Sequence, residues 1–166
     1  MAEGSTMRSE NVKTMQRRND YVQLLTFKLD DQEYALNIAN VVQVVRMVAI
    51  TRAPKASHGV EGMINLRGKV IPVLDIRKRF GLASKPYDLN TQLLIAQTNG
   101  HTVALTVDVV SEVLTMPLSN VEPTSAVGAE MEFLSAIGKL DDRLILILDP
   151  KAVLAGIEAM PRAESG

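Results

Sequence analysis

Residues 23–54 and 92–123 can be laid over one another without a gap at an offset of 69, and nine of the 32 aligned pairs are identical. They are Gln23/Gln92, Leu24/Leu93, Leu25/Leu94, Ala35/Ala104, Leu36/Leu105, Val41/Val110, Val44/Val113, Met47/Met116 and Pro54/Pro123. Unrelated sequences would share roughly two. A second block continues the match at an offset of 74, placing GKVIPVLDIRKRF (68–80) over DRLILILDPKAVL (142–154), with five extra residues between the blocks. The period exceeds that of solenoid repeats, so the chain reads as two copies of one small unit. A unit of ~60 residues buries only about 60% of its chain surface, and the two halves are expected to share a core.

Each copy carries the same strand signals. Val22–Leu29, the turn Asp30-Asp31-Gln32 and Glu33–Ile38 form a hairpin pattern of β-formers around a short polar turn. In the second copy, Thr91–Thr98 and His101–Val107 flank Asn99-Gly100, the strongest short hairpin signal. A third β-branched stretch follows in each, Asn40–Met47 and Val110–Met116. Two further strands are joined tightly, Gly62–Gly68 to Lys69–Ile76 around Arg67-Gly68, and Phe133–Leu140 to Arg143–Asp149 around Asp141-Asp142. Pro72 suggests an edge position or a bulge. A short helix closes each copy, IRKRF and PKAVLAGI, with Asp75 and Asp149 placed to cap them and Pro150 at a favourable first-turn position. Five short strands per half predict a mainly β protein: two five-stranded SH3-like barrels packed together, with short helices.

The composition removes several function classes. A net charge of −1 supplies no basic footprint for a phosphate backbone, so no nucleic-acid partner is expected. Cysteine is absent and the histidines, His58 and His101, are isolated, which excludes a thiolate zinc site and a thiol nucleophile. No cofactor and no metal are expected. No apolar run approaches the ~18 residues that cross a bilayer, and direct membrane insertion is not expected. Residues 1–20 are polar and read as a flexible arm, with MAEGST a remnant ahead of Met7 and a basic cluster at Arg8, Lys13, Arg17 and Arg18. Residues 158–166 read as a flexible tail, leaving one domain over 21–157.

Candidate chemistry is sparse. Asp75, Asp108 and Asp149 follow apolar strands, and a pair of carboxylates could act as acid and base in a small barrel hydrolase using Asp75 or Asp108. Asp75 and Asp149 are repeat-equivalent, however, and stand where a capping carboxylate is worth about 1 kcal/mol without any catalysis. Nucleophile elbows, phosphate-cradling glycine loops and paired-histidine helix motifs are missing, and no enzymatic role is expected. The copies differ most tellingly where Asn65-Leu66-Arg67-Gly68 faces Lys139-Leu140-Asp141-Asp142. The Arg67 guanidinium can clamp carboxylates or carbonyls bidentately, either tying the two barrels together or holding a partner.

The segment GMINLRGKVIPVLDIRKRFG (62–81) closely resembles the hallmark G-x-x-N-L-R-G-x-x-x-P-x-x-D-L-R of the chemotaxis coupling protein (CheW) family. The similarity covers roughly 21–157. It includes Phe27, Leu29, Tyr34, Ala35 and Leu36 of an opening F-x-L-x-x-x-x-Y-A-L pattern, Thr51-Arg52, the run Val107–Val113, and L-x-D-x-x-x-L at Leu148–Leu154. The resemblance implies two SH3-like barrels and a cytoplasmic, non-catalytic adaptor that couples chemoreceptors to the regulatory domain of the histidine kinase CheA at receptor arrays on the inner face of the membrane. It also implies a receptor groove between the barrels, involving Val41, Gln43, Val44, Gly62, Asn65, Arg67 and Gly68. Many members carry glutamate where this chain has Gln43, so a pairing with a receptor arginine would here be a neutral hydrogen bond, weaker by about half. The same adaptor could alternatively serve a non-flagellar array controlling twitching or gene expression.

Overall fold

The computed structural model describes residues 20–52, 59–127 and 132–155. The expected arm (apart from Asp20), the tail 158–166 and His58 lie outside these residues. The first copy supplies β1 (Tyr21–Leu29), β2 (Gln32–Asn37), β3 (Val41–Arg46), β4 (Thr51–Arg52), β5 (Val60–Leu66), β6 (Lys69–Asp75) and the helix α1 (Ile76–Phe80). The second supplies β7 (Gln92–Thr98), β8 (His101–Val107), β9 (Val109–Pro117), β10 (Val121–Pro123), α2 (Thr124–Val127), β11 (Leu134–Leu140), β12 (Arg143–Leu148) and α3 (Pro150–Val153). Single 3-10 turns, Ile38–Asn40 and Leu118–Asn120, follow β2 and β9. The expected strands are present with small shifts. Gln32 belongs to β2, which leaves a two-residue turn at Asp30-Asp31.

The strands form two six-stranded sheets, in the orders β10-β11-β12-β2-β1-β9 and β4-β5-β6-β8-β7-β3. The orders are the same once repeat-equivalent strands are matched, but each sheet takes its β1–β2-type hairpin from one copy and its other four strands from the other. One copy does not make one barrel, as the repeat suggested; the hairpins are exchanged. The join is a parallel pairing in both sheets, β12 with β2 (Ile145–Ile147 beside Glu33–Ala35) and β6 with β8 (Val73–Asp75 beside Ala104–Thr106).

Six segments rather than five per sheet reflect one bent strand. β3 and β4 sit at opposite edges of a sheet although only residues 47–50 separate them. That connection spans about 17 Å fully extended, less than the ~24 Å across six flat strands, so the sheet must curl on itself. β9 and β10 do the same in the other sheet. Pro72 lies on an interior strand rather than an edge. Even so, β8 pairs only with Val73–Asp75, so Pro72 sits where that flank of β6 is unpaired, opposite Met63 on the other side.

Alternation along the strands divides the apolar residues among three cores. Leu24, Ala35, Ile145 and Ile147 fill the inside of one sheet, and their repeat equivalents Leu93, Ala104, Ile71 and Val73 fill the other. Leu25, Leu36, Leu94, Leu105, Leu74 and Leu148 point the opposite way into a core between the sheets, joined by Phe27, Tyr34 and Ile76. Most of the identical pairs are thus explained by packing alone.

Both expected helix caps form. The Asp75 carboxylate accepts from the Arg77 and Lys78 amides at 2.9 and 3.3 Å, and Asp149 accepts from the Lys151 amide at 3.0 Å. Arginine ties the sheets together, but the residue is Arg77, not Arg67. Its side chain, only 7% exposed, donates at 2.6 Å to Asp30 in the β1–β2 turn and at 2.6 Å to Asp108 where the chain crosses from β8 to β9. It also donates to the Ala83 carbonyl at 3.1 Å. Burial alone would push the Asp108 pKa up, but the hydrogen bonds from Arg77 and the Asp30 amide, with the charges of Arg77 and Lys85, hold it below the ordinary 3.8. A carboxylate with a depressed folded pKa stabilises the fold above its unfolded value, and that stability is lost as the pH falls through the folded value. Arg77→Ala should therefore cost about 3 kcal/mol in denaturant unfolding at neutral pH. Asp108→Asn should remove part of the acid-induced loss of stability below pH 3.8.

Candidate functional site

The tight turn between β5 and β6 separates into structural and free residues. Arg67 and Gly68 both have positive φ, 54° and 85°, the type I′ geometry that matches the twist of a two-residue hairpin. The Asn65 side-chain oxygen accepts from the Gly68 amide at 2.9 Å and holds the turn closed. Gly62 is required by close approach, since a Cβ there would lie 2.1 Å from the Thr51 carbonyl oxygen of β4. Next to it, buried Glu61 pairs with Arg52 and Lys78.

Arg67 has no such local duty. It is exposed, and among the described residues it makes no ion pair or hydrogen bond. A left-handed backbone costs a non-glycine residue roughly 1 kcal/mol, least for Asn or Asp; the repeat-equivalent position holds Asp141 at φ 54°. Arginine is thus placed where a cheaper residue would serve the turn, and such a local cost points to use of its side chain.

Gln43 and Arg67 line one groove of about 340 Å³, with Val42, Leu66, Lys69, Ile71, Ile95, Gln97 and Thr102 completing its wall. Its floor is apolar, because Ile71 and Ile95 belong to the core inside this sheet. Its rim carries two cations, Arg67 and Lys69, and, among the described residues, no carboxylate. A β-bulge shapes one side: Val41 pairs with Ala96 and Gln43 with Ile95, so Val42 is the extra residue and is turned outward. Just ahead of that strand the Asn40 side chain donates to the Gln97 carbonyl at 3.1 Å.

Of the residues expected from sequence, the structure brings Gln43 and Arg67 together and separates the rest by duty. Val41 and Val44 pack against the core between the sheets, whereas the groove lies across β3, β7, β8 and β6 of a single sheet. Asn65 and Gly68 build the turn, and Gly62 lets β4 approach β5. Val42, Leu66, Lys69, Ile71, Ile95, Gln97 and Thr102 were not anticipated. Nothing in the run VVQVV marks the bulge, and the others converge only through sheet pairing.

The hydrolase carboxylates have other work. Asp75 is buried and, besides its cap, accepts from the Tyr87 hydroxyl at 2.8 Å; burial and this bond push the Tyr87 pKa up. Asp108 belongs to the Arg77 clamp.

Two curled sheets, one of them presenting an apolar-floored, cation-rimmed groove, define a small two-barrel β module. The sequence model of the CheW-like domain matches residues 23–158. The chain is 31% identical to the probable chemotaxis protein CheW of Rhizobium etli, over 82% of this chain and 90% of that one. It is 30% identical to the chemotaxis protein CheW of Thermotoga maritima, over 88% and 96%. The crystal structure of the scaffolding protein TtCheW from Thermoanaerobacter tengcongensis superimposes with a TM-score of 0.77 at 31% identity, covering 87% of this chain and 99% of that one. The chain belongs to the CheW family.

Replacing Arg67 with a turn-compatible residue separates its two possible duties. Arg67→Asn should leave the melting midpoint unchanged or slightly raised, since Asn tolerates the left-handed backbone. A fall in the midpoint comparable to that of Arg77→Ala would assign Arg67 to the fold instead.

Proposed function

We propose that this protein is the adaptor that joins the cytoplasmic tips of chemoreceptors to the regulatory domain of the histidine kinase CheA, at receptor arrays on the inner face of the membrane. The coupling unit is residues 21–157. It alters kinase output by where it holds the kinase, without catalysis. The observation that carries this reading is the Gln43–Arg67 groove: one side chain of β3 and one of the β5–β6 turn, neither hydrogen-bonded within the described residues, line one hollow with an apolar floor in a chain of this family.

The chemistry of the groove suits a protein segment better than a small ligand. Amides on Gln43 and Gln97 and the Thr102 hydroxyl can bond a backbone or side chains. Arg67 and Lys69 favour carboxylates, and the isoleucine floor accepts apolar residues. Among the described residues no helix is long and apolar enough to cross a membrane, so contact with a membrane-bound array would run through the receptors. Gln43 offers a neutral amide where a glutamate would offer a charge, which lowers the electrostatic share of the contact.

Co-sedimentation with receptor-bearing membranes and with the isolated CheA regulatory domain provides the test. The protein should pellet with the membranes, and should carry the kinase domain into the pellet only when both partners are present. Failure to bind either partner would remove the proposal.

A further inference from the structure

The two sheets carry the same wall of residues in two different states of charge. Gln43, Lys69 and Thr102, which line the groove on β3, β6 and β8, have repeat equivalents on β9, β12 and β2 of the other sheet: Glu112, Arg143 and Glu33. There the three side chains bond one another. Arg143 donates through Nε and Nη2 to the two oxygens of Glu33 at 2.9 and 2.7 Å, and through Nη2 to Glu112 at 3.0 Å. The hydrogen bond from Arg143 holds the Glu33 carboxyl below its ordinary pKa. That sheet neutralises its own cation.

In the groove the cation is kept and both anions are gone. Lys69 stands in the place of Arg143, but Thr102 and Gln43 replace Glu33 and Glu112, and Arg67 replaces Asp141. Lys69 and Arg67 are both exposed, and among the described residues neither side chain makes an ion pair or hydrogen bond. The floor is also more apolar, with Ile95 where the other sheet has Thr26. Two carboxylates supplied from outside would complete on Lys69 the arrangement that Arg143 already possesses. Their spacing is set by that arrangement: Glu33 and Glu112 both accept from Nη2 of Arg143, at 2.7 and 3.0 Å, so the two oxygens lie within about 6 Å of each other. Side chains three or four residues apart on a helix have Cβ atoms about 5–6 Å apart. A helix with acidic residues one turn apart delivers such a pair, and its neighbouring apolar residues can meet Ile71 and Ile95.

We propose that the groove selects a helical protein segment carrying two carboxylates one turn apart, and that Lys69 is the residue that reads them, with Arg67 adding a second cation at the turn. The carboxylates take the places around Lys69 that Glu112 and Glu33 take around Arg143. This rests on the reading of the groove as the partner surface and names the chemistry of its occupant.

Fluorescence anisotropy of two alanine-rich peptides, held helical by the same hydrocarbon staple, tests this on the full chain. One carries glutamates at positions i and i+4 with leucines beside them, and the other carries glutamines in their place. The glutamate peptide should bind about fivefold tighter, the margin that an exposed ion pair supplies, and the margin should shrink as salt rises. Lys69→Gln should erase most of the margin without moving the melting midpoint. Gln43→Glu combined with Thr102→Glu, which copies the Arg143 network around Lys69, should erase it by filling the site from within. Equal binding of the two peptides, binding of neither, or a margin that survives both variants would overturn the proposal. Receptor-bearing membranes separate it from the function proposed above. If the peptide margin holds while Lys69→Glu pellets with the membranes as the unaltered chain does, the charge selection stands and the receptor assignment falls. Capture by the membranes with no peptide margin would do the reverse.

Discussion

The parallel pairing of β2 with β12 and of β8 with β6 is the constraint on which the rest of this molecule depends. Each pairing stitches the opening hairpin of one repeat into the sheet begun by the other. Neither half of the chain then possesses a complete sheet, and the two curled sheets close only together. The exchange also explains why two units of marginal size suffice: the core between the sheets collects Leu25, Leu36, Leu94 and Leu105 from both copies, adding buried area that neither ~60-residue unit could reach by itself.

Within that frame, the aspartates that repeat are structural, and the arginines that do not repeat either clamp the fold or stand free. Asp75 and Asp149 repeat, and both cap helices. Arg77 and Arg79 face Lys151 and Val153 in the other copy; they lock the sheets and the C-terminal helix in place. Arg79 donates to the carbonyl of its own equivalent, Val153, as residues related by a pseudo-twofold axis near that axis can. Arg67 faces Asp141 and locks nothing among the described residues. The asymmetry of two similar sheets is what gives one of them a cation-rimmed groove.

Much of this fold was legible in the sequence because burial follows a period of two that survives in both copies. Leu24 and Leu25 announce one residue for the inside of a sheet and one for the core between sheets, and Asn99-Gly100 announces a hairpin. The exchange of hairpins was not legible, since a strand carries the same alternation whichever sheet it joins. The site was legible in part: the motif around Arg67 and the position of Gln43 pointed to residues that do share a groove. Val41 and Val44 point elsewhere because an unmarked bulge at Val42 turns the strand. Arg77 stood in plain view within IRKRF, but its partners, Asp30 and Asp108, lie 47 and 31 residues away, and no local pattern relates them.

Chemical-shift mapping with a receptor-tip segment measures the central claim, that the single-sheet groove and not the seam between the sheets takes the receptor. The account predicts perturbed amide signals at Val42, Gln43, Arg67, Lys69, Gln97 and Thr102, with Val41 and Val44 moving less than Val42. Perturbations confined to Tyr34, Phe80, Phe133 and their neighbours, with the groove signals unmoved, would contradict it.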